Sequence, residues 1–313
     1  MKPKLVVLVG PTAVGKTAMG VELATQLNGE IINGDAFQIY RGMDIGTAKV
    51  TREESRGIRH HLIDIRDPDQ AYSAADYQRD ARAAVAEIAH RGKMPIIVGG
   101  TGFYIKAAVC NYQFSENGSD PDYRQALKQR AEREGSDALH HLLQSVDPVS
   151  ASRIHPNNVQ RVIRALEVVH LSGRPASAKK SADGNVPLYP MVCIGLTMER
   201  PRLYRRIDRR VDKMMEAGLL DEVHGFYLSG LEHAQSMQAI GYKEFFPYFE
   251  HKRSLAESIE KLKQNSRHYA KRQFTWFRGQ MDVHWFDADP AAENFTVLRD
   301  RILDCIAGGS GSK

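Results

Sequence analysis

Gly10-Pro11-Thr12-Ala13-Val14-Gly15-Lys16-Thr17 fits the pattern G-x-x-x-x-G-K-[ST]. It lies between an apolar, β-rich run from Leu5 to Val9 and a helical pattern from Thr17 to Leu27. This context restricts the fold more than anything else in the chain, because a strand that turns through a glycine-rich loop into a helix belongs to an open α/β sheet. The glycines let backbone N–H groups wrap an anion, the helix N-terminus adds partial positive charge, and Lys16 reaches a terminal phosphate. Thr17 then supplies a hydroxyl to Mg2+. The loop is expected to hold a diphosphate or triphosphate, and it leaves open whose phosphate that is.

The rest of the first third alternates short strand patterns with helical ones, as a parallel sheet with helices on both faces requires. Strands are expected at Leu5 to Val9, Glu30 to Asn33, His61 to Ile65 and Met94 to Val98, and later at Met191 to Thr197 and Val283 to Phe286. Ser73 caps a long helix to His90, with Gly92 after its end. Between Tyr112 and Pro190 the pattern is helical only: Asp122 to Glu134, Ser136 to Ser145, Pro148 to Arg153 and Asn158 to Ser172. The reading is an α/β core, 1–111, interrupted by an all-helical insertion, 112–190. The core is completed with basic helices over 191–307, and a flexible Gly/Ser tail occupies 308–313. Ala176 to Pro190 is expected to be the mobile return connection.

Asp35 follows the second strand, where side chains face the ligand crevice of such a sheet. A carboxylate there takes a proton from an acceptor, holds Mg2+, or merely shapes an Asx turn. The fourth strand ends in Gly99-Gly100-Thr101-Gly102, a second glycine-rich turn whose Thr101 can donate to a bridging or leaving-group oxygen. Two stretches carry concentrated positive charge: Arg200 to Lys213, and Lys261 to Gln280, the latter without an acid. The second mixes its cations with His268, Tyr269, Phe274, Trp276 and Phe277, which suits single-stranded RNA as well as a buried aromatic face. Arg161 and Arg164 share one helix face, either solvated or gripping a polyanion. His60 and His61 point to opposite sides of a strand and are read as packing residues. Cys110, Cys193 and Cys305 are too scattered for a zinc site or disulfide framework. No apolar run approaches the roughly 20 residues that span a bilayer, so a cytoplasmic location is expected.

In these segments the chain resembles the bacterial tRNA dimethylallyltransferases, which prenylate the adenosine just 3′ of the anticodon. The resemblance runs from the phosphate loop through Asp35-Ala36-Phe37-Gln38-Ile39-Tyr40-Arg41-Gly42-Met43-Asp44-Ile45-Gly46-Thr47-Ala48-Lys49 and Gly99-Gly100-Thr101-Gly102-Phe103-Tyr104. It continues through His155-Pro156-Asn157-Asn158, Arg161 to Glu167, Gly241-Tyr242 and Lys271-Arg272-Gln273-Phe274-Thr275-Trp276-Phe277-Arg278. It implies a P-loop NTPase-like core with a helical insertion. The implied reaction moves dimethylallyl from dimethylallyl diphosphate to N6 of the adenosine at position 37 in tRNAs reading codons that start with U, releasing diphosphate.

The resemblance also implies roles for residues. Gly10, Pro11, Thr12, Ala13, Val14, Gly15, Lys16 and Thr17 hold the donor's diphosphate rather than ATP, with Mg2+ at Thr17. Asp35 accepts the N6 proton, Thr101 contacts the reacting oxygen or the flipped base, and Arg210 helps neutralise the leaving group. Contacts to tRNA are implied for Asp35, Ala36, Phe37, Gln38 and Thr101, and in the insertion for Arg124, Val159, Gln160, Arg161, Val162, Ile163 and Arg164. The basic helix contributes Lys271, Arg272, Gln273, Phe274, Trp276 and Arg278. The partners are the anticodon stem-loop of tRNA and dimethylallyl diphosphate, with no membrane, and the chain acts as a monomer. Two positions depart from the family pattern: Ala36 stands where Ser is expected, and Asn158 where Asp is expected. A small-molecule kinase, a prenyltransferase of free adenine nucleotides and an RNA-binding nucleotide switch are the competing readings of the same phosphate loop.

Overall fold

A computed structural model describes residues 3–114, 118, 120–178, 185–291 and 294–308. The chain first forms β1 (Leu5–Val9), α1 (Lys16–Gln26), β2 (Gly29–Gly34), α2 (Arg52–Ser55), β3 (His60–His61), α3 (Ala74–His90), β4 (Met94–Gly99) and α4 (Gly102–Val109). Four helices follow: α5 (Pro121–Glu134), α6 (Ser136–Val146), α7 (Pro148–Arg153) and α8 (Val159–Ser172). The last part comprises β5 (Met191–Thr197), α9 (Arg200–Glu216), α10 (Leu219–Leu228), α11 (Phe246–Phe249), α12 (Leu255–Gln280), β6 (His284–Asp287) and α13 (Phe295–Gly308). Gly308, expected in the tail, closes α13. The rest of the tail, 309–313, and part of the expected return connection, 179–184, lie outside the described residues.

The six strands pair in parallel in the order β3-β2-β4-β1-β5-β6. Alternation along β1 explains why this arrangement is stable: Leu5, Val7 and Val9 enter one core while Val6 and Leu8 enter another. Both faces of the sheet are therefore covered, as a parallel sheet demands. Ser73 caps α3 as expected, its hydroxyl accepting the Asp76 N–H at 3.2 Å while the Asp76 carboxylate accepts the Ser73 N–H at 3.0 Å. The third strand is shorter than its sequence suggests. Leu62 and Asp64 adopt φ of 61° and 55°, left-handed conformations that end the extended backbone after His61.

At the carboxyl edge of the sheet, Gly34 of β2 and Gly99 of β4 sit opposite each other. A Cβ on Gly99 would lie 2.2 Å from the Gly34 carbonyl carbon, so this approach requires glycine. The loops that leave here carry Asp35 and Thr101.

Residues Met1–Asn111 with Asn185–Lys313 form one compact unit and Tyr112–Gly184 a second. The second is built on Leu127, Leu139, Leu143, Val162, Ile163 and Leu166. Its buried Glu167 receives the Arg124 guanidinium on both oxygens, at 2.7 and 2.8 Å, and Arg164 at 2.5 Å. Burial opposes that carboxylate, and the arginine bonds outweigh burial and hold its pKa below the usual range.

Candidate active site

The glycine-rich loop takes the conformation its motif demands. Gly10 has φ of 150° and a Cβ there would meet the Leu196 carbonyl oxygen at 2.6 Å, while Gly15 has φ of 110° as it enters α1. Lys16 folds over the loop and its Nζ donates to the Pro11 carbonyl at 2.8 Å. Burial, then the neighbouring Arg210 cation, pushes its ammonium down to about 7, against a smaller opposing pull from Asp35. Burial likewise pushes Arg210 down, with Asp35 opposing. Two cations are thus held close together in a site that favours an anion.

Two cavities meet at this point. One, of about 100 Å3, is lined by the phosphate-loop residues Thr12, Lys16 and Thr17 together with Asn33, Asp35 and Arg210. The other, of about 250 Å3, is more apolar, with Phe37, Ile207, Val211, Met214 and Leu262 beside Arg272. Thr12, Asp35, Thr47, Arg210 and Tyr269 line both.

Asp35 sits in a tight turn shaped by the buried Asn33, whose side chain accepts the Asp35 N–H at 3.0 Å and donates to the carbonyls of Asp35 and Leu62. The Asp35 Oδ1 accepts the Phe37 N–H at 2.8 Å. Thr101 is fixed beside it: its N–H donates to the Gly34 carbonyl and its Oγ1 accepts the Ala36 N–H, each at 3.0 Å. The backbone of Ala36, a departure from the family pattern, therefore still ties the two turns together. Asn158, the other departure, stands at the N-cap of α8 without a side-chain cap bond.

The second glycine-rich turn lines the first cavity with Gly99 and Gly100, and its glycines also admit α12. A Cβ on Gly100 would lie 2.1 Å from the Gln273 amide nitrogen, and one on Gly102 would lie 2.1 Å from the Trp276 ring. Gln273 is buried; its Oε1 accepts the Thr12 N–H at 2.8 Å and its Nε2 donates to the Gly100 carbonyl at 3.0 Å. It ties the phosphate loop to the second turn. Trp276 packs edge-on to Phe277, and Phe274 contacts both the Trp285 ring and the Arg278 guanidinium, at 4.9 and 4.1 Å from its ring centre.

Residues Met43 to Lys49 form the facing wall. Glu222 of α10 accepts the N–H groups of Asp44, Ile45 and Gly46 at 3.0, 2.8 and 3.0 Å, and the Tyr242 hydroxyl at 2.5 Å. Lys49 donates to the Tyr40 carbonyl and to the carboxylates of Asp44 and Asp64. Gln38 donates its amide to the carbonyls of Thr47 and Ala48. Thr47, Glu222 and Tyr242 carry no assignment from the sequence as site residues. The Glu222 pairings span up to 178 positions, and no local pattern reports them.

Of the residues expected on the nucleic-acid surface, Lys271, Arg272 and Arg278 are exposed on α12, and Gln160 and Arg161 are exposed on α8. Val162 and Ile163 instead close the helical core, Val159 packs against it, and Arg124 and Arg164 are engaged by Glu167. Part of the concentrated positive charge serves internal pairing: Arg202 with Asp289, Lys263 with Asp212, and Arg267 with Asp208 and Glu260. His61 pairs with the buried Glu30 at 2.7 Å and His60 with the Ile58 carbonyl, which fits the packing role. Among the described residues no three potential His, Cys, Asp or Glu ligands cluster, and no helix is long and apolar enough to cross a membrane.

Residues 38–280 match the family model described as IPP transferase. A tRNA dimethylallyltransferase of Geobacillus thermodenitrificans is 56% identical over 309 residues, 98% of each chain, and one of Bacillus subtilis is 52% identical over 98% of each. Among solved structures, a tRNA isopentenylpyrophosphate transferase from Bacillus halodurans is 48% identical, with a TM-score of 0.74 over 99% of this chain and 98% of that one. A eukaryotic dimethylallyltransferase acting on tRNA shares 29% identity and reaches a TM-score of 0.82 over 96% of this chain and 78% of that one.

Proposed function

The chain belongs to the IPP transferase family and transfers a dimethylallyl group to tRNA; we propose that the donor's diphosphate sits in the loop Gly10 to Thr17. The acceptor in this reading is N6 of the adenosine just 3′ of the anticodon in tRNAs reading codons that start with U. The observation that carries the reading is the shared lining of the two cavities, because Thr12 of the phosphate loop, Asp35 and Arg210 stand where both meet. Donor and acceptor can each occupy one cavity and react between them.

The lone pair of adenine N6 is delocalised into the ring, so removing its proton as the new bond forms assists attack. Asp35 takes that proton in this reading, with one carboxylate oxygen steadied by the Phe37 N–H and the turn held by Asn33. As the allylic C–O bond breaks, charge grows on the departing diphosphate. The loop N–H groups, Lys16 and Arg210 stabilise it more in the transition state than in the bound donor. Mg2+ fits the donor set, since Thr17 offers a hard oxygen at the first cavity and a diphosphate supplies the rest. Bound there, it would neutralise charge on the leaving group. The reacting base must leave the anticodon-loop stack to reach the crevice. Exposed Lys271, Arg272 and Arg278 on α12, and Gln160 and Arg161 on α8, are assigned to the RNA backbone. A monomeric, cytoplasmic enzyme is part of the same reading. The curated relatives are named for acting on tRNA.

The test is incubation with labelled dimethylallyl diphosphate or labelled ATP, with and without tRNA. Label should pass from the prenyl donor to tRNA only, and transfer from ATP alone would overturn the reading. Asp35→Ala should abolish transfer while leaving tRNA affinity near normal. Near-normal turnover would remove Asp35 as the base.

A further inference from the structure

Of the five residues that line both cavities, Thr12, Asp35 and Arg210 belong to the chemistry above, and Thr47 directs its hydroxyl to the Met43 carbonyl at 2.6 Å. Tyr269 remains. It lies on α12 one turn before Gln273, so the two side chains share a face of the helix. Gln273 in turn fixes that face to the phosphate loop through the Thr12 N–H and to the second glycine turn through the Gly100 carbonyl. The phenol is therefore held in register with the loop that holds the diphosphate. The Arg272 guanidinium lies 5.8 Å from the ring centre.

Burial and then the nearby Asp35 carboxylate push the Tyr269 hydroxyl well above its usual range, outweighing hydrogen bonds from Thr101 and Gln273. It stays protonated and is a donor rather than a base. Thr101 and Gln273 are its hydrogen-bonding neighbours, and the residue lines both cavities.

We propose that the Tyr269 hydroxyl donates a hydrogen bond to the bridging oxygen of dimethylallyl diphosphate, and is thereby a further catalytic residue. This rests on the reading that the donor's diphosphate occupies the phosphate loop. The C–O bond between the allylic carbon and that oxygen breaks with its electron pair remaining on the diphosphate. The N6 lone pair forms the new C–N bond, and the N6 proton passes to Asp35. Tyr269 keeps its proton throughout, so no further reagent is needed. Its donor meets a neutral ester oxygen at the start and an anionic one at the end, which places its benefit in the transition state.

The test uses the full chain with tRNA and labelled dimethylallyl diphosphate under single-turnover conditions. Tyr269→Phe keeps the ring and its packing and should slow transfer roughly 100-fold, as loss of one preorganised donor does. The tRNA KM should stay within about twofold, because the hydroxyl contributes little to ground-state binding in this mechanism. Inorganic diphosphate should also inhibit the variant less. Incorporating 3-fluorotyrosine at position 269, a more acidic donor of similar shape, should give a rate at or above that of the wild type. A Tyr269→Phe rate within twofold of wild type, or the same loss with 3-fluorotyrosine as with Phe, overturns the assignment. Wild-type protein that fails to prenylate tRNA at all overturns the underlying reading of the site, and the proposal with it.

Discussion

Gln273→Leu separates two roles that one residue cannot easily combine. Resemblance to the family assigns Gln273 to tRNA, whereas its side chain joins the Thr12 N–H to the Gly100 carbonyl from a buried position. Leucine has nearly the same volume, so the change creates little cavity and mainly leaves these two backbone groups without partners. Each unpaired buried group costs about 1–3 kcal/mol. Thr12 is only half-buried and water can reach it, so the lower half of that range applies, giving about 2–4 kcal/mol in total. For a unit of this size the melting temperature should fall by about 4–16 °C. Calorimetry of the free protein measures the loss, and steady-state kinetics should show a higher KM for dimethylallyl diphosphate with the KM for tRNA unchanged. An unchanged melting temperature with a raised tRNA KM would refute the strut and make Gln273 an RNA contact.

Other consequences concern charge. Lys16 is held near 7 in the free protein, and an arriving diphosphate raises it. Donor binding should be fully developed below about pH 7 and weaken above it by up to about tenfold per pH unit. Titration calorimetry at pH 8 in buffers of different ionisation heat should reveal proton uptake, lost in Lys16→Arg; no uptake in the wild type would refute the coupling. Glu222→Gln should weaken the hold on three backbone N–H groups by about 2 kcal/mol. Amide exchange at Asp44, Ile45 and Gly46 should then accelerate more than tenfold, and unchanged exchange would show the wall is held by other contacts. Lys271→Gln and Arg272→Gln should each weaken tRNA binding and lower the salt slope by about one counterion. Unchanged affinity and slope would remove both from the RNA surface.

The local motifs were legible because each is a short run whose chemistry depends on near neighbours. The phosphate loop, the capped helix from Ser73, and Asp35 at a strand end all belong to that class. The Glu222 clamp and the Gln273 strut join residues more than 170 positions apart, and a sequence shows the donor and the acceptor without showing that they meet. One signal was present: Tyr269, Gln273, Trp276 and Phe277 follow the spacing of a buried helical face, and a glutamine on such a face needs polar partners. The same reasoning explains why the aromatic residues of α12 were open to an RNA-stacking role. Composition cannot distinguish a ring that meets a base from one that packs over Gly102. The third strand failed differently, since nothing in His61 to Ile65 announces left-handed backbone at Leu62 and Asp64.

The facing glycines Gly34 and Gly99 act as a ruler. With no side chains between them, the two strands deliver Asp35 and Thr101 one residue and two residues beyond the same rung of the sheet, at the fixed interstrand spacing of roughly 4.8 Å. The interval between the proposed base and its hydroxyl neighbour is thus inherited from β-sheet geometry rather than from the lengths of loops. Loops elsewhere around the crevice can be lengthened, exchanged or redesigned for another acceptor while that interval holds.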